Sequence, residues 1–278
     1  MKLELQDYIK FRDFIYRRSG LHFEEKKIYF VKKRLAARMK ALGIESPKEY
    51  LWRLKYGDPH GKEFQRLINL LTTNETYFFR EFDQLAVFAE NCLQEVCAIK
   101  EQQRKKKLRL WSAGCSTGEE PYTLSIILQE MVDDYHTWDV KILATDIDTE
   151  VLKKAQKGVY SKRSIKDVPE EYLQKYFIRE GDNYKVKFSV KKPIQFRHLN
   201  LMDDKKMRLI SGIDFIFCRN VLIYFDENSR RAVVSNFYES LNNGGYIFLG
   251  HSESMSRISS AFTLRRKNGF IVYQKVED

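Results

Sequence analysis

No run of 18 apolar residues occurs in the 278-residue chain, so the sequence offers no transmembrane helix. The start does not read as a secretion signal: Met1-Lys2-Leu3-Glu4-Leu5-Gln6-Asp7 carries acids where a signal peptide has its apolar stretch. Cysteine is scarce. The four thiols, Cys92, Cys97, Cys115 and Cys218, form no CxxC pair and no zinc spacing with the five histidines. These absences predict a cytoplasmic chain with reduced cysteines, no structural disulfide and no metal. No His/Asp or Cys/His constellation for covalent catalysis is evident either.

What is present is ample core material and unevenly placed charge. The chain is 43% hydrophobic, with 16 Tyr and 19 Phe, enough for a large domain or a modest domain with a smaller one. Its net charge is +11. Residues 1–72 hold 17 Lys or Arg against 9 Asp or Glu, whereas the remainder holds 32 against 29. A basic end of this kind suits an acidic partner, whether nucleic acid, an anionic membrane surface or an acidic protein.

Apolar residues at three- and four-residue spacing predict helices over 4–18, 24–42, 46–56 and 61–71, punctuated by Gly20, Gly43 and Gly57. Ser46-Pro47-Lys48-Glu49 has the form of an N-cap, a first-turn proline and a capping-box glutamate. In the second helix Ile28, Val31, Leu35, Met39 and Leu42 form one stripe. Lys27, Arg34 and Arg38 line one flank; Lys26, Lys33 and Lys40 line the other. The helix is either a solvated helix with a buried stripe or a docking surface for an acidic helix. A longer helix is expected over 81–102, then a solvated Lys/Arg-rich linker.

From residue 108 strands and helices alternate, predicting a mostly parallel sheet covered on both faces. Strands are expected at 108–113, 140–145, 194–198, 213–218 and 246–250, with a closing hairpin around Asn268-Gly269. Helices are expected over 119–135 and 228–241, with another capped by Thr149. Some 35 residues before the third strand exceed an ordinary connection, and predict an inserted subdomain with a helix at 169–177 and a hairpin-like segment at 183–190.

In such sheets ligands bind beyond the carboxyl ends of the strands. The loop Trp111-Ser112-Ala113-Gly114-Cys115-Ser116-Thr117-Gly118 leads into a helix opening on Glu119-Glu120. No Gly-Lys-Ser/Thr follows, and two acids there would repel phosphate, so the loop suits a ligand with a cationic group. The alternative is that both glutamates only complement the helix dipole. In Thr145-Asp146-Ile147-Asp148 an acid can accept both hydroxyls of an adenosine ribose. Asp146 is first off the strand, and Asp148 could cap the next helix. Asn200 offers an amide to an adenine edge, and Asn220 falls where the ligand's reactive part should lie. Tyr224 either walls that region or packs in the core.

These segments resemble the chemotaxis receptor methyltransferases, the CheR family, across essentially the whole chain. The likeness includes Thr72-Thr73-Asn74-Glu75-Thr76-Tyr77-Phe78-Phe79-Arg80-Glu81, the Ser116–Tyr122 loop, the Thr145–Asp148 turn and Arg219-Asn220-Val221-Leu222-Ile223-Tyr224-Phe225. It implies a class I S-adenosylmethionine-dependent methyltransferase fold, an α/β Rossmann-like seven-stranded sheet. It adds an all-helical N-terminal domain (1–72), a linker motif and connecting helix (73–106), and a small antiparallel β subdomain (159–192) within the methyltransferase domain (107–278).

It implies that Asn74, Thr76 and Arg80 close over the cofactor, while Glu119, Asp146, Asn200, Leu201, Asn220 and Val221 line the rest of its pocket. Beside what the resemblance implies, Arg80 is the candidate for steering the substrate carboxylate and Tyr224 for walling the transfer site, the two residues expected at the chemistry, with S-adenosyl-L-homocysteine the product. The implied activity is protein-glutamate O-methylation on chemotaxis receptor helices, in chemotactic adaptation, and the basic flank Lys27, Arg34 and Arg38 of the second helix is expected to contact those acidic helices. No nucleic acid partner and no membrane insertion are expected. Some relatives grip a receptor's C-terminal tether with a Gly-x-Gly hairpin turn. Here the turn, Arg179-Glu180-Gly181-Asp182-Asn183-Tyr184, has one glycine, so a C-terminal pentapeptide should bind weakly or not at all. The rival readings are a nucleic-acid methyltransferase, which the missing Asn/Asp-Pro-Pro-Tyr segment disfavours, and a non-catalytic signalling module.

Overall fold

The computed structural model describes residues 4–276, so residues 1–3 of the amino-terminal stretch and 277–278 at the far end of the last domain lie outside it. Four helices come first: α1 (Leu5–Ser19), α2 (Ile28–Leu42, after a 3-10 turn at Glu25–Lys27), α3 (Pro47–Tyr56) and α4 (Lys62–Leu71). They enclose their own core around Tyr8, Phe11, Val31, Leu35 and Leu67. Val31, Leu35 and Met39 of the expected stripe are buried, with Ile28 and Leu42 packed at its ends. Ser46 caps α3 by accepting from the Glu49 N–H, and Pro47 opens the helix.

A continuous helix follows the linker motif: α5 (Phe82–Val87), a π turn (Phe88–Cys92) and α6 (Leu93–Gln102). The turn presents Phe88, whose ring meets Phe215, Phe217 and Phe248 edge-on at 5.0–5.7 Å. The α/β part is β1 (Lys107–Ala113), α7 (Glu119–Met131), β2 (Asp139–Asp146) and α8 (Thr149–Lys157). Next come β3 (Val159–Ser161), α9 (Glu170–Tyr176), β4 (Phe177–Glu180), β5 (Asn183–Val186), α10 (Phe188–Lys191), β6 (Ile194–His198) and α11 (Asp204–Met207). It closes with β7 (Ile213–Cys218), α12 (Glu227–Ser240), β8 (Leu241–Leu249), β9 (Thr263–Lys267) and β10 (Phe270–Gln274).

The seven strands run β6-β2-β1-β7-β8-β10-β9, parallel as far as β8 and antiparallel in the closing pairs. Every residue of β7 is buried, as expected of a central parallel strand covered on both faces. The chain leaves β1 toward β2 and β6, then returns on β1's other side with β7, so the order reverses between β1 and β7. That reversal opens a crevice at the carboxyl edge.

Two local readings are corrected. Asp148, not Thr149, caps α8: its carboxylate accepts from the Glu150 and Val151 N–H groups. The carboxylate reaches two orphan amides from one position earlier, so the helix starts at the threonine. In the inserted subdomain the segment expected as a hairpin-like strand over 183–190 divides. The strand ends at Val186, and Phe188–Lys191 coils into a helical turn that buries Val190. The three strands run β3-β5-β4, which puts β5 with its Lys185 in the centre.

The helical domain is stitched onto the sheet. Leu21 bridges Phe225, the Tyr16 hydroxyl donates to Asp226 at 2.9 Å, and the Gln65 amide donates to the Ile147 carbonyl at 2.7 Å.

Candidate active site

The order reversal, the linker motif and the helical domain together enclose one cleft of about 230 Å³. A single water needs only about 10–15 Å³ on this measure, so the cleft suits a sizeable ligand. Gly114 forms its floor at the end of β1, where a Cβ would strike Val221 Cγ2 at 2.3 Å. The absence of a side chain at Gly114 is therefore required by the wall opposite.

Asp146 closes β2. Its two oxygens accept from the Ser116 and Asp148 N–H groups, each at 2.8 Å, which fixes the carboxylate without exhausting its acceptor capacity. Burial pushes its pKa up to about 6, the backbone donors opposing that shift. The cavity thus holds a rigid acid able to accept two adjacent hydroxyls.

Asn74, Thr76, Arg80, Asp146, Asn200, Leu201, Asn220, Val221 and Tyr224 all border the cleft. The Asn74 amide donates to Asp148 at 2.9 Å, and its carbonyl accepts the Ser116 hydroxyl, so the linker motif is fastened to both sheet-edge loops. Arg80 is partly exposed, with one guanidinium N–H donated to the Glu75 carbonyl at 2.8 Å. The Tyr224 hydroxyl faces the Thr73 carbonyl at 3.5 Å. Asn220 sits in the left-handed region at φ 60, pinned by Glu253, which accepts its N–H at 2.9 Å.

Two residues behave differently from the expectation. Glu119 does not border the cleft: it is buried behind it, accepting the Thr117 hydroxyl at 2.6 Å, and burial raises its pKa. The adjacent Glu120 borders the cavity instead, since a helical step of about 100° turns only one of two neighbours toward it. The Asn200 amide is engaged within the protein, donating to the Arg18 carbonyl and accepting from the Met202 N–H.

Sequence reasoning missed a buried charge network. The Arg219 side chain is 4% exposed and pairs with Glu81 at 3.1 Å and Glu120 at 3.3 Å; it also donates to the Arg80 carbonyl. Burial would raise the Glu81 pKa, but Arg219 and Asn220 hold it below the usual range. Burial raises Glu120, only partly offset by Arg219. The Arg219 Nε is buried with no partner inside the protein. Also unforeseen were Ser19, Leu21, His22 and Phe23, by which the helical domain itself walls the cleft. Only the basic flank of that domain carried a functional signal in the sequence, and a wall residue leaves no periodicity.

A nucleoside carrying a cationic amino-acid arm fits this donor set: a ribose-competent acid, apolar walls at Ile147, Leu201 and Val221, and carboxylates with an orphaned guanidinium N–H at one end. No group of three or more potential metal ligands occurs among the described residues.

Comparison with known proteins finds one family over most of the chain. Residues 6–72 match the family model "CheR methyltransferase, all-alpha domain", and residues 74–270 match "CheR methyltransferase, SAM binding domain". The chain is 43% identical to chemotaxis protein methyltransferase 2 of Vibrio cholerae over 94% of this chain and 89% of that one. It is 35% identical to the chemotaxis protein methyltransferase of Escherichia coli over 100% of this chain and 94% of that one. Among solved structures it is similar to magnesium protoporphyrin IX methyltransferase of Synechocystis PCC 6803, at 14% identity and TM-score 0.35, covering 98% and 97% of the two chains.

Proposed function

We propose that this chain, which belongs to the CheR methyltransferase family, methylates glutamate side chains on acidic helices of chemotaxis receptors, forming methyl esters. The observation that carries the reading is the meeting of four separate motif segments at one cleft around Asp146. Bound there, S-adenosylmethionine supplies an activated methyl group for in-line attack by the glutamate oxygen and departs as S-adenosyl-L-homocysteine.

Asp146 anchors the ribose end through its free acceptor positions, and Asn74 and Thr76 cover it from the linker motif. The acceptor glutamate needs no general base, because a carboxylate with pKa near 4.3 is already ionised at pH 7. The protein's task is alignment in a site drier than water, since two opposite charges are consumed on the way to the transition state. Phe79, Leu85 and Val221 keep water out of the cleft. Arg80 steers the incoming carboxylate with the guanidinium N–H groups that Glu75 leaves free. Tyr224 walls the transfer site.

Of the three cations proposed for receptor contact, Lys27 and Arg34 suit the role. Lys27 lies 5.9 Å from the centre of the Tyr224 ring, beside the cleft, and Arg34 stacks on Phe30 at 4.5 Å. Arg38 is committed elsewhere, as a bidentate partner of buried Glu63 at 2.9 and 2.7 Å. Weak binding of a C-terminal pentapeptide now rests on the two-residue turn, Gly181-Asp182, which joins β4 to β5 without insertion.

Tritium transfer from methyl-labelled S-adenosylmethionine to receptor, released as methanol by mild base, is the expected result. Label on RNA would replace the reading by nucleic-acid methylation. Cofactor binding with no transfer to either would leave a binding module.

A further inference from the structure

The outer face of α3 carries a pair of exposed aromatics in contact with each other. Its inner face buries Tyr50, Leu51 and Leu54, which accounts for the helix as a core element. Its outer face nevertheless carries two large aromatics: Trp52 is 61% exposed and Tyr56 is 71% exposed. They are one helical turn apart with ring centres 5.9 Å from each other, so they form one patch, not two scattered residues. Exposed Lys48, Arg53 and Lys55 surround them, against the single acid Glu49. No residue of α3 borders the cleft, so neither the core nor the proposed reaction explains this face.

We infer that this face docks on an anionic lipid bilayer surface. The occupant follows from the kind of patch. Two rings on the outward face of a helix do not make a groove into which a partner helix could lay a ridge. Trp and Tyr combine an apolar body with a polar tip, the composition that settles at the headgroup level of a bilayer. Lysines and arginines placed beside such rings add attraction to anionic headgroups, and an excess of basic over acidic groups across residues 1–72 extends the complementary field. The contact is peripheral, since no helix among the described residues is long and apolar enough to cross a membrane.

The tryptophans make the test specific. Trp111 and Trp138 are 0% and 7% exposed, so a change in indole environment on binding reports Trp52. The full chain is titrated with phosphatidylcholine vesicles with and without phosphatidylglycerol, following indole emission and co-sedimentation. The expected result is a blue shift and sedimentation only with the anionic vesicles, weakening as salt rises. Trp52→Ala/Tyr56→Ala should lower partitioning by about tenfold or more, with S-adenosylmethionine affinity and thermal unfolding unchanged. Lys48→Glu/Arg53→Glu/Lys55→Glu should keep Trp52 and lose the preference for anionic vesicles.

Absence of both blue shift and sedimentation overturns the inference, as does equal binding to the two vesicle types. Unchanged partitioning of the double aromatic variant overturns it too. A blue shift with a soluble Glu-rich helical peptide but not with vesicles would reassign the patch to a protein partner.

Discussion

At the scale of the residue, Asp146 shows what one acid must do at a strand end. Its place in the sequence, first off a strand in a Rossmann-like order, was enough to name it; its buried fixation by two N–H groups was not. Asp146→Ala should weaken S-adenosylmethionine binding by about 1.5–3 kcal/mol, the usual loss of hydrogen bonds to a charged group, as calorimetry on the variant will read. The pH dependence follows from the raised pKa of about 6. A carboxyl whose folded pKa is raised favours folding below its unfolded value and loses that contribution as pH rises through about 6. Ribose hydroxyls donate to the ionised form, so the cofactor lowers this pKa on binding and displaces the proton. Affinity should therefore hold from pH 8 to 7 and fall as pH drops through 6; in Asp146→Asn that dependence should vanish. Arg80 is a different kind of residue, partly exposed and lightly tied. Arg80→Ala should lower turnover at saturating receptor at least tenfold, about 1.4 kcal/mol, while unfolding free energy changes by less than about 1.5 kcal/mol. Wild-type turnover would remove it from the mechanism. Arg219 escaped sequence reasoning because its partners Glu81 and Glu120 are 138 and 99 residues away in the chain.

At the scale of the element, the helices and parallel strands were legible because their signals are local. Alternation between periods 3.6 and 2, an N-cap at Ser46 and the apolar run Phe215-Ile216-Phe217-Cys218 in β7 each fix a segment without reference to the rest. The inserted subdomain was less legible, because Val186 and Val190 alternate like strand residues while both are buried and the backbone between them changes from strand to helix. The flank of α2 failed in a more useful way. Spacing placed Lys27, Arg34 and Arg38 together, but it could not see Glu63, 25 residues beyond Arg38. The three cations should now separate. Arg38→Ala strands Glu63 with the Tyr50 hydroxyl and a distant Arg66, and should cost about 2–3 kcal/mol of stability in denaturant unfolding, somewhat under the range for a fully buried pair. Lys27→Glu/Arg34→Glu should instead raise the receptor KM, spare cofactor affinity, and lose effect as salt screens the exposed charges. A salt-independent loss shared with cofactor binding would point to misfolding. In the subdomain, a receptor C-terminal pentapeptide should bind with a dissociation constant above roughly 100 μM, under about 5.5 kcal/mol; micromolar binding in a fluorescence titration would show that the short turn suffices.

At the scale of the whole molecule, the helical domain is part of the catalytic enclosure as well as an attachment to it. Its last turn of α1 and the following Ser19–Phe23 segment wall the cleft, and their position depends on the contact with the loops after β6 and β7. Two glycines isolate that dependence. Gly20 and Gly43 both end helices of this domain in the left-handed region, at φ 76 and 67, so alanine at either pays the same backbone penalty of about 1–2 kcal/mol. Their surroundings differ. A Cβ on Gly43 meets nothing within 4 Å, whereas one on Gly20 would meet Met202 Cγ at 2.4 Å and Phe225 Cε1 at 2.8 Å. Met202 follows the cavity residue Leu201, and Phe225 follows Tyr224, so both lie across the domain boundary beside the cleft. Gly43→Ala should therefore lower stability alone, leaving S-adenosylmethionine affinity at the wild-type value. Gly20→Ala should lower stability by more, about 1–3 kcal/mol of added overpacking, and should also weaken cofactor binding as the wall is pushed off the sheet. The measurement is a pair of unfolding curves and a pair of cofactor titrations. Equal behaviour of the two variants would mean that the boundary yields without disturbing the cleft, and that the helical domain contributes its walls without governing their fit.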